Sequence, residues 1–182
     1  MLLRALVAVM VCGLAMTFSQ AQDAPASQPA KVPAVDFRKL KEVLPENLAG
    51  VKRSEARGEK QKLGEFTFTT AHGEYQKEDA GEADPNLSLE LFDYGAAPEM
   101  ASMFTVWQQM EIDRESDNEY EKTVKIKEHP GLEKYNSEGK HGELQLYVAN
   151  RFLLTLNANN ISQEQFKKAI EELPVEKLAA LK

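Results

Sequence analysis

Period-two alternation is the feature that most constrains this chain. Phe66 and Phe68 fall on one side of their run, with Glu65, Thr67 and Thr69 on the other; Leu87, Leu89 and Leu91 alternate in the same way with Ser88 and Glu90. A β-strand turns successive side chains to opposite faces, so each such run has one face for a core and one for polar surroundings. Strands are expected over 51–58, 64–76 and 87–91, then over 120–127, 132–136, 143–149 and 151–157. Gly131 and the stretch Gly139-Lys140-His141-Gly142 punctuate the later junctions, and Asn150 marks a hairpin tip, where its tolerance of positive φ helps. The 77–86 segment (KEDAGEADPN) reads as an acidic loop, and 113–119 as a polar loop.

Helical spacing replaces this alternation in a few places. Asp36 can cap a short helix in which Phe37, Leu40 and Leu44 share a face with Val43 beside them, and Pro45 ends it. After a break at 95–98, Met100, Met103, Phe104, Trp107 and Met110 fall at i, i+3, i+4, i+7 and i+10, which makes one apolar stripe. Ser162 and Gln165 have the spacing of a capping box, and Ile161 is placed to staple onto Phe166. Phe166, Ala169, Ile170 and Leu173 then face inward. Pro174 stops this helix, and 175–181 can form a last short one. Many adjacent strands and few crossovers predict an α+β fold: a single largely antiparallel sheet with helices packed on it.

The ends of the chain say where it goes. A positive start (1–4) precedes an uncharged apolar run, ALVAVMVCGLAMTF (5–18), and then Ser19-Gln20-Ala21. This is the tripartite pattern of a secretory signal peptide, 1–21, cleaved after Ala21. The apolar run is shorter than the roughly 20 residues that span a bilayer, which disfavours a retained anchor. Cys12 lies inside the run and not at its end after small residues, so a lipoprotein modification is not expected. Residues 22–34 (QDAPASQPAKVPA) read as a Pro/Ala-rich tether, and 35–182 as one domain. The expected compartment is the periplasm or the outside, with no transmembrane span once the leader is gone. Cys12 is the only cysteine, so the exported domain has no disulfide or thiolate chemistry and depends on its apolar core.

Charge and motifs exclude more than they assign. The chain has 22 Lys+Arg against 29 Asp+Glu, a net −7; without Arg4 the balance is 21 against 29, a net −8. An acidic chain is a poor general nucleic-acid binder, because such binding works by displacing counterions from phosphates with basic groups. No Gly-x-Ser-x-Gly elbow or Gly-rich phosphate loop occurs. His72, His129 and His141 are scattered, and none is spaced to share a metal with another across a helical turn. His72 can pair with Glu74 on one strand face, but two ligands do not make a metal site. Glu78, Asp79, Glu82 and Asp84 on the acidic loop lack the ligand spacing of a known calcium loop. Basic residues gather at Lys52, Arg53, Arg57, Lys60 and Lys62, and again at Lys122, Lys125 and Lys127. Were those strands neighbours, one sheet face would be locally positive and would steer an anionic partner. The alternative is ordinary outward faces balanced by Glu55, Glu59 and Glu121.

With the leader removed, the three remaining methionines, Met100, Met103 and Met110, lie on one helix with Trp107, the only tryptophan. Methionine is flexible and polarizable, which suits surfaces that accommodate varied apolar partners. These four residues are the candidate ligand- or partner-binding residues; the competing reading makes the same stripe a core helix.

Two resemblances follow from these residues. Leu44-Pro45-Glu46-Asn47-Leu48-Ala49-Gly50-Val51-Lys52-Arg53 with Gly58-Glu59, then Trp107-Gln108-Gln109-Met110-Glu111 and Glu133-Lys134-Tyr135-Asn136, resemble a group of exported bacterial proteins of unknown function. That resemblance implies export and carries no site residue. The element order from Leu87 to Leu173 is similar to the PsbP-like α/β/α sandwich, which implies an accessory or binding role. The expectation is an exported, non-enzymatic binding or assembly-accessory domain without a cofactor, its partner an unknown protein or an apolar small molecule. The alternative is a periplasmic small-molecule or lipid carrier with a pocket between helix 98–112 and the sheet. Urea denaturation of Trp107→Ala separates core from surface: a loss of about 3–5 kcal/mol is expected if Trp107 is core, and much less if it lines an exposed site.

Overall fold

Two antiparallel meanders, joined edge to edge, build the sheet. The computed structural model describes residues 32–64, 66–95 and 109–181; the leader, most of the tether, and Met100, Met103 and Trp107 lie outside the described residues. The elements are α1 (Phe37–Val43), β1 (Asn47–Leu48), β2 (Val51–Leu63), β3 (Phe66–Tyr75), β4 (Asn86–Asp93), β5 (Asp113–Glu115), β6 (Glu119–Ile126), β7 (His129–Asn136), β8 (His141–Val148), β9 (Phe152–Asn159), α2 (Gln163–Glu171) and α3 (Val175–Ala179). The spatial order is β1-β2-β3-β4-β9-β8-β7-β6-β5, and every pair is antiparallel. β1–β4 form one meander and β5–β9 the other. They meet where β4 pairs with β9 from Asn86↔Asn159 to Asp93↔Phe152.

The local chemistry explains most boundaries. Asp36 caps α1 by accepting a hydrogen bond from the Arg38 backbone N–H at 2.8 Å. At α2, Ser162 Oγ accepts from the Gln165 N–H and Gln165 Oε1 accepts from the Ser162 N–H, so the capping box forms as the spacing implies. Asn150 adopts φ 54° in the turn between β8 and β9, as does its neighbour Ala149 at 55°.

Several expectations are corrected. β2 does not stop at Gly58 but runs thirteen residues to Leu63, and the chain reverses at Gly64 with φ +61°. The expected polar loop at 113–119 contains the short edge strand β5, and β1 was not legible at all. The lysine-rich strands are not neighbours: β2 and β6 lie near opposite ends of the sheet, so the two basic groups form no common positive face.

The two faces of the sheet differ in chemistry. On one, cross-strand rows such as Ala71–Leu91–Leu154–Leu146 and Tyr75–Leu87–Ala158–Gly142 are fully buried or nearly so. They form one cluster with Leu40 and Val43 of α1, Phe166 and Ala169 of α2, and Val175 and Leu178 of α3. Close approach of rings to backbone fixes two glycines on this helix face. A Cβ on Gly58 would lie 2.9 Å from the Phe37 ring, and one on Gly142 would lie 2.6 Å from that of Phe166. The buried phenols find carbonyls: Tyr75 Oη donates to Pro45 O and Tyr135 Oη to Ile161 O, both at 2.9 Å. The described residues thus form one antiparallel sheet with its few helices on a single face.

A buried ion pair clamps the junction of the meanders. Arg151 donates from Nε and Nη2 to the two oxygens of Asp93, each at 2.8 Å, and Asp93 is completely buried. The backbone N–H groups of Val35 and Gly95 also donate to this carboxylate, at 2.6 and 2.7 Å, and Arg151 Nη2 reaches Pro33 O at 2.8 Å. One carboxylate therefore ties β4, the start of β9 and the segment before α1. Removing one partner strands a buried charge, so Asp93→Ala or Arg151→Ala is expected to cost about 3–5 kcal/mol. The double variant is expected to lose less than the sum of the two, as measured by urea unfolding in a double-mutant cycle.

Candidate functional site

The face of β2–β4 opposite the helices brings a polar group together with an aromatic one. Register sets the rows: Glu55, Glu74 and Ser88 in one, Arg57, His72 and Glu90 in the next, then Glu59, Thr70 and Phe92. Strand alternation puts all of these side chains on the same open face. The His72 and Glu74 side chains are in direct hydrogen-bonding contact, the pairing their spacing allows. Arg57 Nη2 lies 3.8 Å from the same Glu74 oxygen, and Arg57 Nη1 lies 3.9 Å from Glu55 Oε1. A shallow concavity of about 250 Å³ opens beside them, lined by Arg57, Gly58, Glu59, Thr70, His72 and Glu90. Its walls offer a guanidinium and an imidazole as donors and two carboxylates as acceptors. Such a mixture suits a ligand or peptide segment with both donors and acceptors.

The same face becomes aromatic toward the far ends of β3 and β4. Phe66 and Phe68 stack with centroids 6.5 Å apart, Phe68 and Phe92 lie at 5.7 Å, and Phe92 stacks on Tyr94 at 4.4 Å. Leu63 and Phe66, at the tip of the β2–β3 hairpin, are exposed. Tyr94 and Tyr147 are buried. Burial, with the nearby Tyr147 and Glu90 adding to it, raises the Tyr94 pKa to about 12.

The sequence-derived candidates fare differently. Of the methionine stripe, only Met110 falls among the described residues. It is exposed and lines an open depression of about 690 Å³ whose other walls include Lys125, Glu128, His129 and Asn150. The small apolar space it shares with Ile112 and Leu132 is about 30 Å³, room for one water. His129 accepts at Nδ1 from the Ala149 N–H, and His141 pairs with Asn159 Oδ1 at 2.8 Å, so neither histidine joins His72. On the acidic loop, Asp84 accepts from the Gly81 N–H at 2.9 Å and pairs with Lys77 at 3.1 Å. Chiefly through that backbone bond, its carboxyl is held below the usual range. Among the described residues, no three His, Cys, Asp or Glu side chains are placed to share a metal ion, and no helix is long and apolar enough to cross a membrane.

Sequence reasoning found the His72–Glu74 pair but not Arg57 and Glu90. Alternation alone assigns these residues to polar strand faces; only the β2–β3 and β3–β4 registers make them neighbours. A further polar group lies on the helix face, where Tyr120 Oη donates to the buried Glu133 at 2.5 Å and Lys122 Nζ lies 3.8 Å from the same oxygen. Comparison of the chain with protein-family models, with curated proteins and with solved structures finds no match.

The Tyr94 shift has a definite sign. Its folded pKa of about 12 exceeds the ordinary 10.0, so its contribution to stability is full below pH 10. That contribution is lost as pH rises from 10 to about 12, because the unfolded phenol ionises first. Urea midpoints measured across this range should fall with pH, and Tyr94→Phe should make the fall shallower.

Proposed function

We propose that the chain is an exported, non-enzymatic binding or assembly-accessory domain of the α+β class, taking its partner on the open face of β2–β4. The observation that carries this reading is the cluster of Arg57, His72, Glu74 and Glu90 lying next to exposed and half-buried aromatics. Polar groups in fixed mutual geometry select a partner, and neighbouring aromatics supply the apolar area that most binding energy comes from. The carrier alternative would need an apolar chamber of several hundred cubic ångströms. The apolar space beside Met110, at about 30 Å³, favours the open face over a chamber at that position.

Site-directed photo-crosslinking in the exporting cell tests the reading. A photoreactive residue at Glu90, on the open face, is expected to capture a discrete partner, while one at Glu176 on α3 is not. His72→Ala combined with Arg57→Ala should reduce that capture severalfold without changing the protein's level. A partner captured only through position 176, or none from either position, would remove the open face from consideration.

A further inference from the structure

β2 is an edge strand along most of its length. β1 pairs with it only at Val51 and Lys52, and the Arg53 N–H donates to Glu46 O at 2.8 Å. From Ser54 to Leu63 the described residues pair β2 with β3 alone, leaving its outer edge without a strand. The opposite edge of the sheet is closed by β5, three residues long. Proteins usually keep edge strands short, bulged or charged, because an unpaired row of N–H and C=O groups is a template for another strand. The one bulge in β2 lies between Arg53 and Glu55; beyond it, register with β3 is unbroken from Glu55 to Leu63.

The charges on this edge are self-complementary about one point. The open-face residues run Glu55, Arg57, Glu59, Gln61. If the strand meets a second copy antiparallel with Gly58 on the two-fold axis, Arg57 faces Glu59 of that copy and Glu55 faces its Gln61. On the helix face, Gly58 then meets Gly58 and Ala56 meets Lys60, so no like charges are directly opposed. An axis at Arg57 would oppose Arg57 to Arg57 and Glu55 to Glu59, and an axis at Glu59 would oppose Glu59 to Glu59. An axis at Ala56 would run the second strand into Val51 and Lys52, where β1 already pairs. Phe37, half-buried over Gly58, sits beside the axis, and α1 packs on both β2 and β3.

We propose that two copies of this chain associate through β2, antiparallel about Gly58, to make one sheet that runs through both. The pairing stands on the geometry of the edge and goes beyond the binding reading. It also alters the open-face concavity, because Arg57, Gly58 and Glu59 form its outer wall. Glu59 of the second copy comes beside Arg57, and the two His72 side chains lie three strand spacings across and two residues along the strand from each other, roughly 16 Å, on one continuous face.

Sedimentation analysis of the purified chain, with disulfide trapping in a Cys12→Ser background, tests the proposal without any ligand. A dimer is expected, and mixing Ala56→Cys with Lys60→Cys chains should give an oxidised heterodimer that neither forms alone. Arg57→Glu should weaken dimerisation about tenfold, since two symmetric pairs become repulsive, and Arg57→Glu with Glu59→Arg should restore it. A chain that stays monomeric at millimolar concentration, a dimer indifferent to Arg57→Glu, or cross-links only outside β2 would overturn it.

Discussion

The Asp93 carboxylate is the constraint on which the rest of the architecture depends. Two meanders are each local structures, made of hairpins between neighbours in sequence, and nothing in either one dictates how it meets the other. The β4–β9 pairing does so, and Asp93 with Arg151 sits at its end. A buried carboxylate carries a large desolvation cost, which is offset only when its lone pairs are filled. Here a bidentate guanidinium and two backbone N–H groups fill them. A slip of β9 along β4 would carry Arg151 away and leave the charge unpaired, so this ion pair selects register as much as it adds stability. The same bonds hold the segment before α1, through Val35 N and Pro33 O, and so place α1 over β2 and β3.

With register fixed, alternation does the rest. One face collects the leucines of β4, β8 and β9 under α1, α2 and α3, and burying each such side chain contributes about 1.5–3 kcal/mol. The other face inherits whatever the intervening positions hold. In the strands nearest the β2 edge these are Arg57, His72, Glu74 and Glu90 at one end and Phe68, Phe92 and Tyr94 at the other. A face needed only for solubility would have no use for the aromatic run, and a second core face would not hold the ionic group.

How much of this the sequence discloses follows from the range of each interaction. Short-range signals are legible: Asp36 and Ser162 as caps, Asn150 in its hairpin, the alternation of Leu87, Leu89 and Leu91. The length of β2 is not, because its distal half, Glu59-Lys60-Gln61-Lys62-Leu63, is polar on both faces up to its last residue and shows no apolar period. β5 was hidden for the same reason: Asp113-Arg114-Glu115 is wholly polar, and only pairing with β6 makes it a strand. Arg151 looked like an ordinary residue at the start of a strand, since its partner is 58 positions away. The site shared this fate: His72 and Glu74 are two residues apart and could be paired on paper, whereas Arg57 and Glu90 join them only through register.

That dependence links the edge of the sheet to its open face. Glu55, Arg57, Glu59 and Gln61 are too polar to earn a place in the core, yet they continue a regular strand past the point where β1 stops. A strand that merely capped the sheet would be served by a few residues, as β5 is at the other end. Thirteen residues order a long polar ribbon at a cost of about 1–2 kcal/mol per residue in backbone entropy, which β3 offsets from one side only. The stretch that looks overbuilt for a lone chain is also the outer wall of the polar concavity, so whatever pairs with this edge necessarily reshapes that site.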